Sequence, residues 1–401
     1  MARFPTQPAH NAYDVVIIGG AMMGSSIAWH LSHNDAFQGR ILVVERDASF
    51  EFTSTARTNS CIRQQFSSEI NIRISQYGAE VIRNFKDIIG ENDAPAIPFQ
   101  TFGYMYLAAD EGMAQILRES QSIQAENGAG TRLLTPEQIK TEYPFYNVDD
   151  IQLGSHNPID EGYFDGASMF DAWQRFARHA GVEYIEAEVA SLQRNGSRIE
   201  AVTLADGTQI TAGQVVNAAG PRASGIAAMA DVALPVEPRR RYTFIFAAAE
   251  PLKQDLPLTI DPSGVHMRSD GVNYLAGCPP WEDPAVDPND FEMDHTLWED
   301  KVWPALAGRV PAFERIKLLN TWVGHYAYNT LDQNAIIGHH PDCANMVFAN
   351  GFSGHGFQQA AAVGRGVGEL IAEGDYRSLD LSPLGCERLI NNTPLLEKAV
   401  I

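Results

Sequence analysis

Residues 13–18, Tyr-Asp-Val-Val-Ile-Ile, form a short run rich in β-branched side chains. Such a continuous apolar stretch predicts a strand buried on both faces. Gly19-Gly20-Ala21-Met22-Met23-Gly24 follows at once. Ile27, Ala28 and Leu31 then recur at helical spacing and predict a helix over 25–31. A second apolar run, Arg40-Ile41-Leu42-Val43-Val44, predicts another buried strand, closed by Glu45. Much later, Tyr242-Thr243-Phe244-Ile245-Phe246 predicts a sheet strand. The segment 358–371 carries Ala360, Ala361, Ala362, Gly364, Gly366 and Gly368, which predicts a helix able to pack closely on its neighbours. Turns such as Cys278-Pro279-Pro280, Asp283-Pro284 and Asp287-Pro288 punctuate the stretch between these last two elements.

The opening strand, glycine turn, helix and second strand make a unit in which each part has a physical task. Gly19 permits the tight turn, and Gly24 lets the helix approach the strand. Backbone N–H groups at the helix N-terminus, with the helix dipole, favour a pyrophosphate. Glu45, 21 residues beyond Gly24, can accept hydrogen bonds from ribose hydroxyls. The middle glycine of the usual Gly-x-Gly-x-x-Gly pattern is Ala21 here, whose methyl group crowds the phosphate slightly. The unit predicts an α/β, Rossmann-like dinucleotide site. On its own it does not separate NAD from FAD.

With 401 residues, the chain exceeds a single hydrophobic core, so two domains are expected. A net charge of -21 repels phosphate backbones and argues against nucleic acid as a partner. Cys61, Cys278, Cys343 and Cys386 form no Cys-x-x-Cys pair, so neither a zinc site nor a disulfide framework is expected, and no other metal-ligand spacing stands out. The polar N-terminal stretch 1–12 lacks the apolar core of a signal peptide, and no run of 18 apolar residues offers a membrane span. A cytoplasmic location is the expectation.

Three further segments carry a resemblance. The Ser/Thr-rich run Thr53-Ser54-Thr55-Ala56-Arg57-Thr58-Asn59-Ser60-Cys61-Ile62-Arg63-Gln64-Gln65-Phe66 follows the second strand. Val215-Val216-Asn217-Ala218-Ala219-Gly220 is a strand entering a glycine turn. Residues 326–338 lead to Gly351-Phe352-Ser353-Gly354-His355-Gly356-Phe357. Together they resemble the superfamily of D-amino-acid oxidase, glycine oxidase and monomeric sarcosine oxidase, and most closely its branch of FAD-dependent oxidoreductase domain proteins. The resemblance runs from Tyr13 to about Leu379.

It implies a Rossmann-like FAD-binding domain of the glutathione-reductase type, discontinuous over 1–88, 155–225 and 330–401. A mixed-sheet substrate domain would comprise 89–154 and 226–329. FAD contacts are implied for Gly19, Gly20, Ala21, Met22, Met23 and Gly24, for Glu45 and Arg46, and for Ser54, Thr55 and Arg57. Val189, in a hairpin over 181–210 turning at Asp206-Gly207, is implied beside the adenine, with Ala219 and Gly220 nearby. The ring would lie against Gly351, Phe352, Gly354, His355, Gly356, Phe357 and Gln358. His355 is read as structural through its side chain.

The implied reaction is oxidation of a C–N bond in an amino acid or secondary amine. A hydride passes to flavin N5, and the resulting imine is hydrolysed. Electrons then go to O₂ or another acceptor. Arg63 aligns with an active-site arginine of the family and is the first candidate to hold a substrate carboxylate. Arg57 is read instead as a candidate for the pyrophosphate. Arg239-Arg240-Arg241 reads as a solvated run whose alternate members face opposite sides.

Two departures matter. Gln358 stands where sarcosine oxidase carries a carboxylate-binding lysine. His325 stands about where that enzyme attaches flavin through cysteine, so FAD is expected to be non-covalent. His325 and Tyr328 are further candidates for the pocket. The competing readings are an NAD-dependent dehydrogenase and a non-catalytic flavin-binding assembly protein.

Overall fold

A computed structural model describes residues 4–399. Residues 1–3 and 400–401, the outermost of the expected N-terminal stretch and FAD-binding segments, lie outside the described residues.

The first strand forms as Ala12–Ile18 and the second as Ile41–Glu45. They pair in parallel, Val15 with Ile41 through Ile18 with Val44. Val16, Ile17, Leu42 and Val43 are wholly buried, as a strand covered on both faces requires. Strand Gln209–Asn217 pairs in parallel on the far side of the first strand, followed by Cys343–Asn350, with antiparallel Ile336–His340 outside it. Glu183–Glu186 closes the opposite edge beside the second strand. The helix after the first turn runs Met22–Ser32, starting three residues before the sequence pattern indicated. Apolar spacing marks only the core-facing residues, and the turn glycine Gly24 lies inside the first turn.

The predicted hairpin over 181–210 is corrected. Residues Val189–Asn195, Arg198–Leu204 and Gln209–Asn217 form a three-strand meander with two turns. Asp206-Gly207 makes only the second. The first, at Gly196, carries a φ of 59° that a glycine accommodates.

The helix of small residues runs Gly356–Glu373 and packs on Met22–Ser32. Its approach is close: a methyl group at Gly364 would stand 2.1 Å from Ser26 Oγ. Ser26 Oγ donates to the Ala360 carbonyl at 2.7 Å, cross-linking the two helices.

An eight-stranded mixed sheet is built from chain segments 104–157 and 236–329. Its longest strands, Val236–Ala248 and Ile316–Asn329, pair along their whole lengths. Phe244, Phe246, Met267 and Phe313 fill its core. A small three-stranded ribbon of Cys61–Ile62, Gly162–Phe164 and Phe99–Gln100 lies apart from both sheets.

Candidate functional site: an extended cavity between the sheets

A cavity of about 640 Å³ runs from the first glycine turn to the late glycine run. That volume lies within the ~300–1,000 Å³ range of small-molecule and cofactor sites. Helix Met22–Ser32 opens toward it from Ala21, whose own side chain offers no cap. Thr55 Oγ1 accepts from Met22 N at 3.2 Å, which fixes the Ser/Thr-rich loop against the helix end. Gly19, Ala21, Met22 and Met23 line the cavity.

Gly20 and Gly24 act from behind the turn. Gly20 N donates to Glu45 Oε2 at 2.8 Å, and Asp47 N donates to Glu45 Oε1 at 3.0 Å. Burial raises the Glu45 carboxyl above its usual range against these bonds. Each carboxylate oxygen keeps a lone pair for a further donor. Arg46 and Arg222 line the same end. Burial first, and Arg46 second, pull the Arg222 guanidinium below its usual range. Val189, Ala219 and Gly220 complete this end. A helix N-terminus facing the cavity, two neighbouring guanidiniums and a carboxylate with free acceptor capacity fit the phosphates and ribose of a dinucleotide.

Ser54 Oγ donates to the His325 carbonyl at 2.6 Å, joining the loop to the second sheet. The Arg57 guanidinium is engaged within the protein. It donates to the carbonyls of Glu51 and Val323, and lies 4.7 Å from the Phe52 ring centroid and 5.0 Å from that of Phe291.

At the far end, Phe352, Gly354, His355, Gly356, Phe357 and Gln358 line the cavity. Gly351 lies behind, packed on Ile336, Val236 and Asn329. Gly354 has φ +97°, and a methyl group there would stand 2.4 Å from Tyr326 Cζ. The Phe357 ring points into the core, against Gly166 and Phe164. Backbone therefore faces the cavity along this run, as the anionic edge of a reduced flavin requires.

Arg63 is 1% exposed and lines the cavity. Its Nη1 donates to the carbonyls of Gln65 and Ala399, and its Nη2 donates to His355 Nε2 at 2.9 Å. Burial, and then Arg63, hold the His355 imidazole well below its usual pKa, so it is the neutral acceptor that this bond needs. Gln358 Oε1 accepts from Arg63 N at 2.8 Å. His355 and Gln358 thus hold Arg63.

Two expectations shift. His325 reaches the cavity, but its ring faces away from Tyr326. Nε2 donates to the Asp290 carbonyl at 2.6 Å, and the ring stacks on Phe291 with centroids 4.2 Å apart. Tyr328 is not among the lining residues, and its ring lies under the Arg239 guanidinium. Tyr326, two residues earlier on the same strand face, takes the cavity position against Gly354.

The sequence reading passed over Asn59, Thr243, Tyr104 and Glu161. Asn59 Nδ2 meets His266 Nε2 at 2.7 Å, and Thr243 Oγ1 donates to Asn59 Oδ1 at 3.3 Å. Burial pulls His266 down to about 4. Glu161 is wholly buried behind Arg63, and accepts from Gln64 N, Gln65 Nε2 and Asn157 Nδ2 at 2.6–3.0 Å. Asn59 sits within the quoted Ser/Thr-rich loop, whereas nothing local marks Glu161.

The cavity and the two sheets that bound it fit a flavin-dinucleotide oxidoreductase. The model of the family described as FAD dependent oxidoreductase (DAO) matches residues 14–370. The chain belongs to that family, and FAD is its cofactor. It is 38% identical over 426 residues to FAD-dependent oxidoreductase domain-containing protein 1 of Xenopus laevis, covering 97% of this chain and 85% of the relative. An L-proline dehydrogenase from P. horikoshii superposes with a TM-score of 0.84 at 26% identity, covering 98% of this chain and 100% of the other. A glycine oxidase from Geobacillus kaustophilus superposes with a TM-score of 0.79 at 19% identity, covering 94% and 98%. Among the described residues, no helix is long and apolar enough to cross a membrane.

Glu45→Ala should weaken FAD binding by about tenfold to a hundredfold. The contact of Glu45 with FAD is the ribose acceptor, a charge-assisted hydrogen bond of about 1.5–3 kcal/mol, while its bond to Gly20 N braces the turn. Recovery of flavin fluorescence on dilution measures the dissociation constant. An unchanged constant would show that Glu45 only braces the turn.

Proposed function

We infer that the protein oxidises the C–N bond of an amine that carries a carboxylate, with an amino acid or N-substituted amino acid as the substrate class. Charge along the cavity carries this reading. The acids lining it, Glu45, Asp47 and Glu188, belong to the nucleotide end. The wall beyond them carries the guanidiniums of Arg57, Arg63 and Arg241, with the uncharged imidazoles of His266 and His355. A substrate anion meets attraction there, while a simple cationic amine meets no carboxylate.

FAD supplies a two-electron acceptor when bound. The protein's own groups orient the substrate and exclude water. Tyr104 and Tyr326 give the ring end apolar walls. His266, held neutral by burial at ordinary pH and fixed by Asn59, whose Nδ2 donates to its Nε2, adds an uncharged polar face to this end of the cavity. His355 and Gln358 keep Arg63 in register with the late glycine run. The likeness to an L-proline dehydrogenase and a glycine oxidase supports the substrate class. Electrons leave to O₂ or to another acceptor. We place FAD as non-covalently held, because the ring of His325 is turned to Asp290 and Phe291.

The test is anaerobic bleaching of the flavin by amino acids, N-methyl amino acids and secondary amines, each beside its decarboxylated counterpart. Carboxylated compounds should bleach it at least tenfold faster. Equal rates for both sets would sink the reading, and no bleaching by any amine would favour a non-catalytic flavoprotein. Hydrogen peroxide formed on admitting air then identifies the acceptor.

A further inference from the structure

Residues 281–294 form no helix or strand, and none of them is buried. Yet Val286 and Pro288 line the cavity, so this segment covers it. Polar contacts hold it down. Asp283 binds Arg241 end-on, Oδ1 to Nη1 at 2.8 Å and Oδ2 to Nη2 at 2.9 Å, with Arg239 at 3.6 Å. Asp290 lies 3.5 Å from Arg240, and the Pro288 carbonyl accepts from Arg222 at 3.2 Å. Val286 N donates to the Pro238 carbonyl. The run Arg239-Arg240-Arg241 is therefore the base on which the cover sits.

Beyond the nucleotide end, Arg241 is the cavity cation whose main partner is another side chain's carboxylate. Arg63 is committed to two carbonyls and His355, and Arg57 to two carbonyls and two rings. Arg241 stacks over Tyr326, with Cζ 4.5 Å from the ring centroid, and Tyr326 abuts Gly354 of the late glycine run. Its Nε is buried and has no hydrogen-bond partner. Its carboxylate partner, Asp283, is 27% exposed and sits on a segment without a buried anchor. The pair is bidentate, so only a ligand that offers Arg241 the same carboxylate fork can take its place. The segment's apolar contacts include those of Phe291 with His325 and Phe52 and of Met293 with the core of the second sheet, and a segment with no buried residue opens more readily than the sheet beneath it.

We propose that Arg241 is a receptor for the substrate carboxylate and that Asp283 is its resident substitute. An arriving carboxylate displaces Asp283 from the guanidinium fork and releases the 281–294 cover. This rests on the carboxylated-amine reading above. It assigns specificity to an arginine on the second sheet and makes entry of an anionic ligand the event that loosens the cover. The exchange is one carboxylate for another, so the charge at Arg241 is unchanged.

The test uses the FAD-loaded protein and a non-reacting aromatic carboxylate, read by the perturbation of the flavin spectrum. Asp283→Asn should tighten the probe about tenfold, and Arg241→Gln should weaken it by at least tenfold. Arg241→Lys should fall between, because it keeps charge but loses the fork. Amide hydrogen exchange gives the second readout. Probe binding should speed exchange across 281–294, and Asp283→Asn should do so without the probe. Slower exchange there on binding would describe a closing lid and overturn the proposal. So would probe affinities unchanged in both Asp283→Asn and Arg241→Gln. If the probe fails to perturb the wild-type spectrum at all, the carboxylated-amine reading falls, and this inference falls with it.

Discussion

Replacing Gly24 with alanine is expected to leave the purified protein without flavin. A Cβ at Gly24 would stand 1.9 Å from Gly19 O, 3.0 Å from Gly19 C and 3.3 Å from Ile17 Cγ2. Two of these are backbone atoms of the turn that faces the phosphates, so no side chain can rotate aside. Gly19 itself holds φ +100°, which leaves the turn little freedom to move. Overpacking usually costs about 1–3 kcal/mol, and overlap with backbone belongs at or above the top of that range. Expressed in FAD affinity, 3 kcal/mol is roughly a hundredfold. Visible flavin absorbance per protein after gel filtration reads the loss. Ala21→Gly is the control: it removes a methyl group at the cavity wall and should retain FAD at least as well as the wild type. A yellow Gly24→Ala protein with unchanged affinity would mean the turn is not where the phosphates sit.

The first strand, turn, helix and second strand could be read from sequence because their determinants are local. β-Branched runs, glycines and a terminal acid lie within one short stretch of chain. The helix of small residues was equally plain, since Gly364 and its neighbours have no purpose outside a close approach, here to Ser26. The meander was misjudged for the opposite reason. Asn195-Gly196 and Asp206-Gly207 are both good turn signals, and choosing only the second merged two strands into one.

Within the site, most residues read for their backbone line the cavity, whereas the side chains of His325 and Tyr328 turn elsewhere. Tyr326 and Tyr328 share a strand face, and only the packing of Gly354 and Arg239 decides which reaches the cavity. His325 alternates to the other face, toward Phe291. The partnership of Arg241 with Asp283 spans 42 positions across an irregular segment, and no periodicity encodes it. Glu161 is the hardest case. An isolated acid before Gly-Tyr-Phe reads as a surface residue, yet the fold buries it completely beside Arg63.

That burial makes Arg63→Met the second large effect. The substitution keeps much of the side-chain volume between the rings of Phe66 and Tyr106, and removes the cation. His355 Nε2 and the Gln65 carbonyl lose their donor. Removing one partner from a buried charged cluster costs about 3–5 kcal/mol. The loss should depend on pH. Burial pushes the Glu161 carboxyl up to about 7, with Gln65, Gln64, Asn157 and Arg63 opposing the shift. A carboxyl raised in the folded state, above an unfolded value near 4.5, contributes stability that is complete below about pH 4.5. That contribution is lost as pH rises through 7. Without Arg63 the carboxyl rises further, so the penalty above pH 7 grows. Chemical unfolding of the wild type and Arg63→Met should therefore show a gap that is smallest near pH 4.5 and widens toward pH 8. Adding Glu161→Gln to Arg63→Met removes the titrating group and should flatten that widening while leaving the pH-independent loss in place. A gap that stays constant across this range would show that Arg63 and Glu161 do not sense each other, and the charge balance argued for this wall of the cavity would fail.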